Sequence, residues 1–195
     1  MQSPLPRPPD SLISGHHGGR TRRPPPGPTA GLGSAGRIPS RSVKDFVARG
    51  GWWVVAQVPL FGGLVAFWLL WGDGWGVAAL AAGAALAGLG TALVAGGLAA
   101  LGSQLTPYPA PVREGALVER GAYRLVRHPI YGGVVLGAAG VSLADGNWPG
   151  LVLAGALGGL FWAKLWFEEG LLATRFAAYA AYRARVRRRL IPWVL

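Results

Sequence analysis

With 195 residues the chain has room for one domain and a tail. It is 51% hydrophobic and only 14% charged, yet carries a net charge of +11, with 32 glycines and nine tryptophans; this excludes an ordinary soluble basic protein and reads as an integral membrane protein whose apolar runs are flanked by arginine. The absence of cysteine excludes disulfides, a thiolate nucleophile and cysteine-ligated zinc.

Residues 1–45 are rich in Pro, Gly, Ser and Arg and lack periodicity, so they are expected to form a disordered cytoplasmic tail. His16 and His17 fall in this tail and read as solvated rather than as metal ligands. Residues 46–195 are expected to form the membrane domain. Its first span is 52–71, without a charge and with Trp52, Trp53, Trp68 and Trp71 at the two ends, as interfacial aromatic belts require. Gly72-Asp73-Gly74 is a turn. The second span, 75–101, is made of Ala, Gly and Leu, which suits close helix packing in lipid. A polar connection follows, with Pro107, Pro109, Pro111, Arg113, Glu114, Glu119 and Arg120. The apolar segment 129–144 is short, which fits either a tilted span or one sheltered by protein. Asp145-Gly146-Asn147 is a second turn. The last span is 148–167, with Gly155 and Gly159 at a close-packing spacing. Residues 168–190 read as an amphipathic, arginine-rich helix suited to an anionic membrane face.

The predicted fold class is therefore an all-α integral membrane protein, with about four transmembrane helices and a C-terminal amphipathic helix. Eight Lys or Arg precede Trp52, four lie in 103–128 and six follow Phe167, whereas the turns at Asp73 and Asp145 have none. The positive-inside rule then predicts a multi-pass protein of the cell membrane with both termini cytoplasmic.

One stretch concentrates polar groups where they are expensive. Arg124, Arg127, His128 and Tyr131 stand at the mouth of an apolar segment, where a functional site is the default hypothesis. Pro129 pushes His128 out of helical geometry and is itself at home in a first helical turn. The free N–H groups there, with the positive end of the helix dipole, suit a carboxylate. Gly132 and Gly133 permit a close approach to the backbone. Ordinary roles exist for each residue singly: lipid-phosphate anchors for Arg124 and Arg127, a local cap for His128, an interfacial ring for Tyr131. Lys164 precedes Glu168 by one turn, which makes a simple ion pair the plain reading of Glu168. Glu169 lies on the stripe of Leu172 and Phe176 and faces inward, where structural charge pairing and a ligand site are equally open. No metal-binding cluster is present, nor a nucleophile–base pair, nor a phosphate-cradling glycine loop. Lipid headgroups are a simpler partner for the basic charge than nucleic acid.

Leu105-Thr106-Pro107-Tyr108-Pro109, Glu114 and the run Gly121-Ala122-Tyr123-Arg124-Leu125-Val126-Arg127-His128-Pro129-Ile130-Tyr131-Gly132-Gly133 form a first block. One span later come Glu168-Glu169, Leu172, Phe176, Tyr179, Tyr182 and Ile191-Pro192. Together these blocks resemble the isoprenylcysteine carboxyl methyltransferase family and its phospholipid N-methyltransferase relatives, over about 102–192. Arg187 departs from the pattern, since relatives often carry proline there. The resemblance implies a small multi-pass methyltransferase using S-adenosylmethionine, held between the last two spans and the C-terminal helix. A lipophilic small-molecule or lipidated acceptor would reach it from the bilayer. On that resemblance Tyr123, His128, Tyr131, Gly132, Glu168 and Glu169 are the cofactor-binding candidates. Arg127 and Glu169 are the catalytic candidates, and Arg124 is the candidate for binding an acceptor carboxylate. The expected reaction is carboxyl O-methylation. The alternatives are N-methylation of a phospholipid headgroup and, from another class, a non-catalytic membrane scaffold or binding protein. No metal and no specific nucleic acid is expected.

Overall fold

The computed structural model describes residues 43–110 and 115–192. The tail expected over 1–45 lies outside the described residues as far as residue 42, as do Pro111, Arg113 and Glu114. The elements in chain order are α1 (Val43–Ala48), α2 (Gly51–Leu70), α3 (Val77–Leu101), α4 (Pro129–Ala144), α5 (Trp148–Arg175) and α6 (Tyr179–Arg185), with short 3-10 turns at Gly102–Gln104 and Gly121–Arg124. No strand occurs among the described residues, and the fold is of the all-α membrane class. Among the described residues three helices are long and apolar enough to cross a membrane: α2, α3 with the turn after it, and α5. The fourth apolar helix, α4, has 16 residues. At about 1.5 Å per residue it is roughly 24 Å long, less than a hydrocarbon core of about 30 Å. It packs on α3 and on α5, so protein shelters much of its surface.

Glycine makes that shelter close. Gly83, Gly90 and Gly97 recur every two turns on α3 and face α4. A Cβ on Gly90 would lie 2.5 Å from the oxygen of Gly133 and 2.5 Å from the nitrogen of Gly137. One on Gly133 would meet the oxygen of Gly90 at the same distance, so each helix needs the other's missing side chain. The last span behaves otherwise. Gly155 and Gly159, spaced for close packing, face open space among the described residues. On α5 the packed face is instead Ala154, Leu157 and Phe161, which join Leu64 of α2 and Ala138 of α4 in one apolar cluster.

The outer ends of the helices are tied by polar side chains. Asn147 is fully buried; its Nδ2 donates to the carbonyls of Phe67 and Trp71, each at 2.6 Å, and its Oδ1 accepts from the Gly150 amide at 2.8 Å. This single residue caps α5 and holds the end of α2. Trp68 Nε1 adds a bond to Ser142 Oγ at 2.9 Å.

The C-terminal region differs from the expected boundary. No break occurs at Phe167; α5 runs on through Glu168 and Glu169 to Arg175, 28 residues or about 42 Å. The chain then leaves helical geometry at Phe176, forms the seven-residue α6, and is non-helical from Val186. Tertiary pairing accounts for the last part of this departure, the loss of helix after Val186. The amides of Arg127 and His128 donate to the carbonyls of Arg188 and Arg189 at 3.0 and 2.8 Å, and the Arg127 side chain takes those of Val186 and Arg187. Those four carbonyls bond across the fold, and the helix after Val186 is given up.

Candidate functional site

The site is assembled where α4 begins, against the part of α5 near Glu168. The 3-10 turn Gly121–Arg124 leads into it, with Gly121 at φ 59°. His128 precedes α4 with non-helical torsions (φ −128°, ψ 64°) and Pro129 opens the helix, as the Pro rule requires. Val126 is fully buried, and Arg127 and His128 are each 5% exposed, so the basic run turns inward.

Arg127 and Glu169 form a buried ion pair: Nε to Oε1 is 2.8 Å. The guanidinium also donates to the carbonyls of Val186 at 2.8 Å and Arg187 at 3.0 Å, which ties α5 to the C-terminal segment. The same Glu169 oxygen lies 3.3 Å from His128 Nε2 and 3.8 Å from Arg189 Nε. Its second oxygen, Oε2, is buried without a hydrogen-bond partner among the described residues. Glu168 has the more open position. Its Oε2 accepts the Tyr131 hydroxyl at 2.6 Å, and its Oε1 is 4.0 Å from His128 Nδ1. The expected pairing of Glu168 with Lys164 is replaced: Lys164 Nζ donates to Gln57 Oε1 of α2 at 3.3 Å and lies 4.9 Å above the Tyr131 ring.

Three flat rings line up between the charged groups and the apolar interior. The His128 and Tyr131 rings are 5.5 Å apart and parallel within 1°, and Tyr131 stacks on Phe161 at 4.8 Å. The ladder borders a cavity of about 430 Å3, within the range of small-molecule sites. Tyr123, Arg127, His128 and Glu168 line its polar part, and Phe61, Val134, Phe161 and Leu172 its apolar part. Tyr179 and Tyr182 of α6 close it. Burial pushes the hydroxyls of Tyr123, Tyr179 and Tyr182 above the ordinary phenol value, so all three stay neutral donors. Tyr182 uses its proton on the Tyr123 carbonyl at 2.8 Å; the Tyr179 hydroxyl is buried with no partner among the described residues.

Of the residues singled out from the sequence, Tyr123, Arg127, His128, Tyr131 and Glu168 meet at this cavity. Glu169 stands behind Arg127 and His128 rather than on the cavity wall. Gly132 also faces away: a Cβ there would run into the carbonyl of Leu190, so its missing side chain makes room for the protein's own C-terminal segment. Arg124 is exposed and outside the cavity lining. Gln57 went unnoticed in the sequence reading, although an amide inside an otherwise apolar span was a visible signal.

The donor set suits S-adenosylmethionine. That molecule carries a carboxylate, an ammonium, ribose hydroxyls and a sulfonium, and the cavity offers imidazole, phenols and a carboxylate around one apolar space. Two buried polar atoms nearby, Glu169 Oε2 and the Tyr179 hydroxyl, lack partners among the described residues. The family model for phospholipid methyltransferases matches residues 78–179, from α3 to the start of α6 and just over half of the chain. A comparison with curated proteins finds no match.

Proposed function

The chain belongs to the phospholipid methyltransferase family, and from that premise we propose that this membrane methyltransferase uses S-adenosylmethionine in the cavity at α4 and α5 to methylate a lipophilic carboxylate. When bound, the cofactor supplies a methyl group on a sulfonium; its transfer to a carboxylate oxygen breaks the methyl–sulfur bond, leaves the electron pair on sulfur and releases no proton. The observation that carries the reading is the ring ladder of His128, Tyr131 and Phe161, which joins a charged rim to an apolar interior within one cavity. Such a space suits a polar cofactor and a greasy acceptor side by side.

His128 and the N–H groups of Ile130 and Tyr131 at the start of α4 receive the cofactor carboxylate. Glu168 takes the ammonium or the ribose hydroxyls by charge-assisted hydrogen bonds. Glu169 keeps Arg127 and His128 in place, so it and Arg127 act by positioning. Because the displacement needs placement more than proton transfer, exclusion of water by Tyr179, Tyr182 and the C-terminal segment supplies much of the rate. The cavity rim faces the cytoplasm and both termini are cytoplasmic, a reading supported by the distribution of basic residues. Headgroup N-methylation is the second reading, favoured by membership of a phospholipid methyltransferase family. It requires a base, for which Glu168 is the group at hand.

The test is calorimetric binding of S-adenosylhomocysteine to the full chain in detergent. Micromolar binding is expected, weakened roughly tenfold or more in His128→Ala, as loss of a hydrogen bond to a charged group costs about 1.5–3 kcal/mol. A folded sample that does not bind overturns the assignment. Label from the methyl donor in base-labile esters supports the carboxylate; label in headgroups supports the amine.

A further inference from the structure

We infer that Lys164, assisted by Gln57, is the group that recognises the oxyanion of the lipophilic acceptor. The inference rests on the methyltransferase reading above and adds to it the residues that hold the acceptor's anionic group. Lys164 lies within an apolar helix and is only 2% exposed. Among the described residues its one hydrogen bond is to Gln57 Oε1 at 3.3 Å; the faces of Tyr131 and Phe161 lie at 4.9 and 5.7 Å, and the charge of Glu168 acts on it from beyond ion-pair distance. Among the described residues no carboxylate comes within ion-pair distance of its ammonium, since Glu168 is turned to Tyr131 and Glu169 to Arg127. A buried cation with no carboxylate in direct contact is costly, and within membrane segments such groups mark ligand pathways.

The position sorts the possible anions. Lys164 is one turn, about 6 Å, deeper along α5 than Glu168. It lines the cavity beside Phe61, Val134 and Phe161, whereas Tyr123, Arg127 and His128 occupy the polar rim. A zwitterionic, water-borne cofactor finds its partners at the rim. An anion carried on a hydrocarbon chain meets Lys164 first. An ammonium has three N–H donors, and Gln57 engages one. The Gln57 amide nitrogen remains as a further donor, so the pair offers an oxyanion several hydrogen bonds in a dry space. The oxyanion is either the methyl-accepting carboxylate or the phosphate of a phospholipid whose amine accepts.

The experiment uses the full chain in detergent and compares wild type with Lys164→Met, Lys164→Arg and Gln57→Leu. S-adenosylhomocysteine affinity is read by calorimetry. Labelled methyl transfer is read with two acceptors, S-farnesyl-N-acetylcysteine and phosphatidylethanolamine. Lys164→Met is expected to keep cofactor-product affinity within about threefold and to raise the acceptor KM about tenfold or more, with partial rescue by arginine. Label in the farnesyl cysteine assigns the oxyanion as carboxylate; label in phosphatidylethanolamine assigns it as phosphate. An unchanged acceptor KM overturns the inference. So does a tenfold loss of S-adenosylhomocysteine affinity at constant acceptor KM, which would put Lys164 on the cofactor. If Lys164→Met does not fold, Gln57→Leu is held to the same criterion, and an unchanged acceptor KM there overturns the inference. Failure of folded wild type to bind S-adenosylhomocysteine would overturn the methyltransferase reading and this inference together, and is told apart by that first measurement alone.

Discussion

Arg127 joins three segments with one side chain. Its guanidinium pairs with Glu169 of α5 and takes two carbonyls of the C-terminal segment, while its own amide takes a third. Both partners of the ion pair are 4% exposed at the side chain, so removing either one leaves the other buried without its nearest counter-charge. Arg127→Met or Glu169→Leu alone should cost about 3–5 kcal/mol, and the double variant well below the sum. Denaturation in detergent, run as a double-mutant cycle, measures this; additive losses would mean that the pair is not the unit. Glu168 predicts the opposite signature. Its side chain is 22% exposed and lines the cavity. Glu168→Gln should change stability by only about 0.5 kcal/mol, while weakening S-adenosylhomocysteine binding roughly tenfold. The two adjacent glutamates thus separate scaffold from ligand contact.

Among the helices, the α3–α4 contact sets the position of the site, because α4 carries His128 and Tyr131 at its start. Gly90→Ala places a methyl group between two backbones that leave it no room. It should cost about 1–3 kcal/mol by overpacking and also lower S-adenosylhomocysteine affinity, because α4 must move. Gly155→Ala, on open space, should stay within about 0.5 kcal/mol of wild type. Thermal melts of both variants in one detergent test the contrast, and equal effects would contradict the assigned interface. The sequence spacing of glycines is similar on α3 and α5. Only the presence of a partner helix distinguishes them, and that is a property of the fold rather than of either helix.

For the whole molecule, the absence of cysteine makes topology directly measurable. A membrane-impermeant maleimide should label Asp73→Cys in intact cells and Arg183→Cys only after lysis; the reverse pattern would invert the proposed orientation. The membrane class and most residues that meet at the candidate site could be read from the sequence because their signals are local: long apolar runs, Pro129 after a histidine, charge at the edge of a hydrophobic segment. Partnerships across the fold could not. Glu168 is spaced for Lys164 yet bonds Tyr131, and Glu169 finds Arg127 across 42 positions of sequence. Helical spacing identifies neighbours on one helix but not which group wins from another. Gln57 acquired meaning only when α2 came to lie against α5. The path after Arg185 depended on carbonyls claimed by residues about 60 positions earlier.

The uninterrupted α5 has a mechanical consequence. From Trp148 at one interface to Glu168 is twenty residues of rigid rod, about 30 Å, which is the thickness of a typical hydrocarbon core. In a bilayer that α5 crosses from Trp148, its length alone would bring Glu168 to the far interface. In vesicles of shorter or longer acyl chains, mismatch must be relieved by tilting that rod, and tilt shifts Glu168 and Lys164 against the start of α4. If the proposed site is the active one, the rate of labelled methyl transfer should vary with acyl-chain length, and an unchanged rate across vesicles would show that tilt does not reach it.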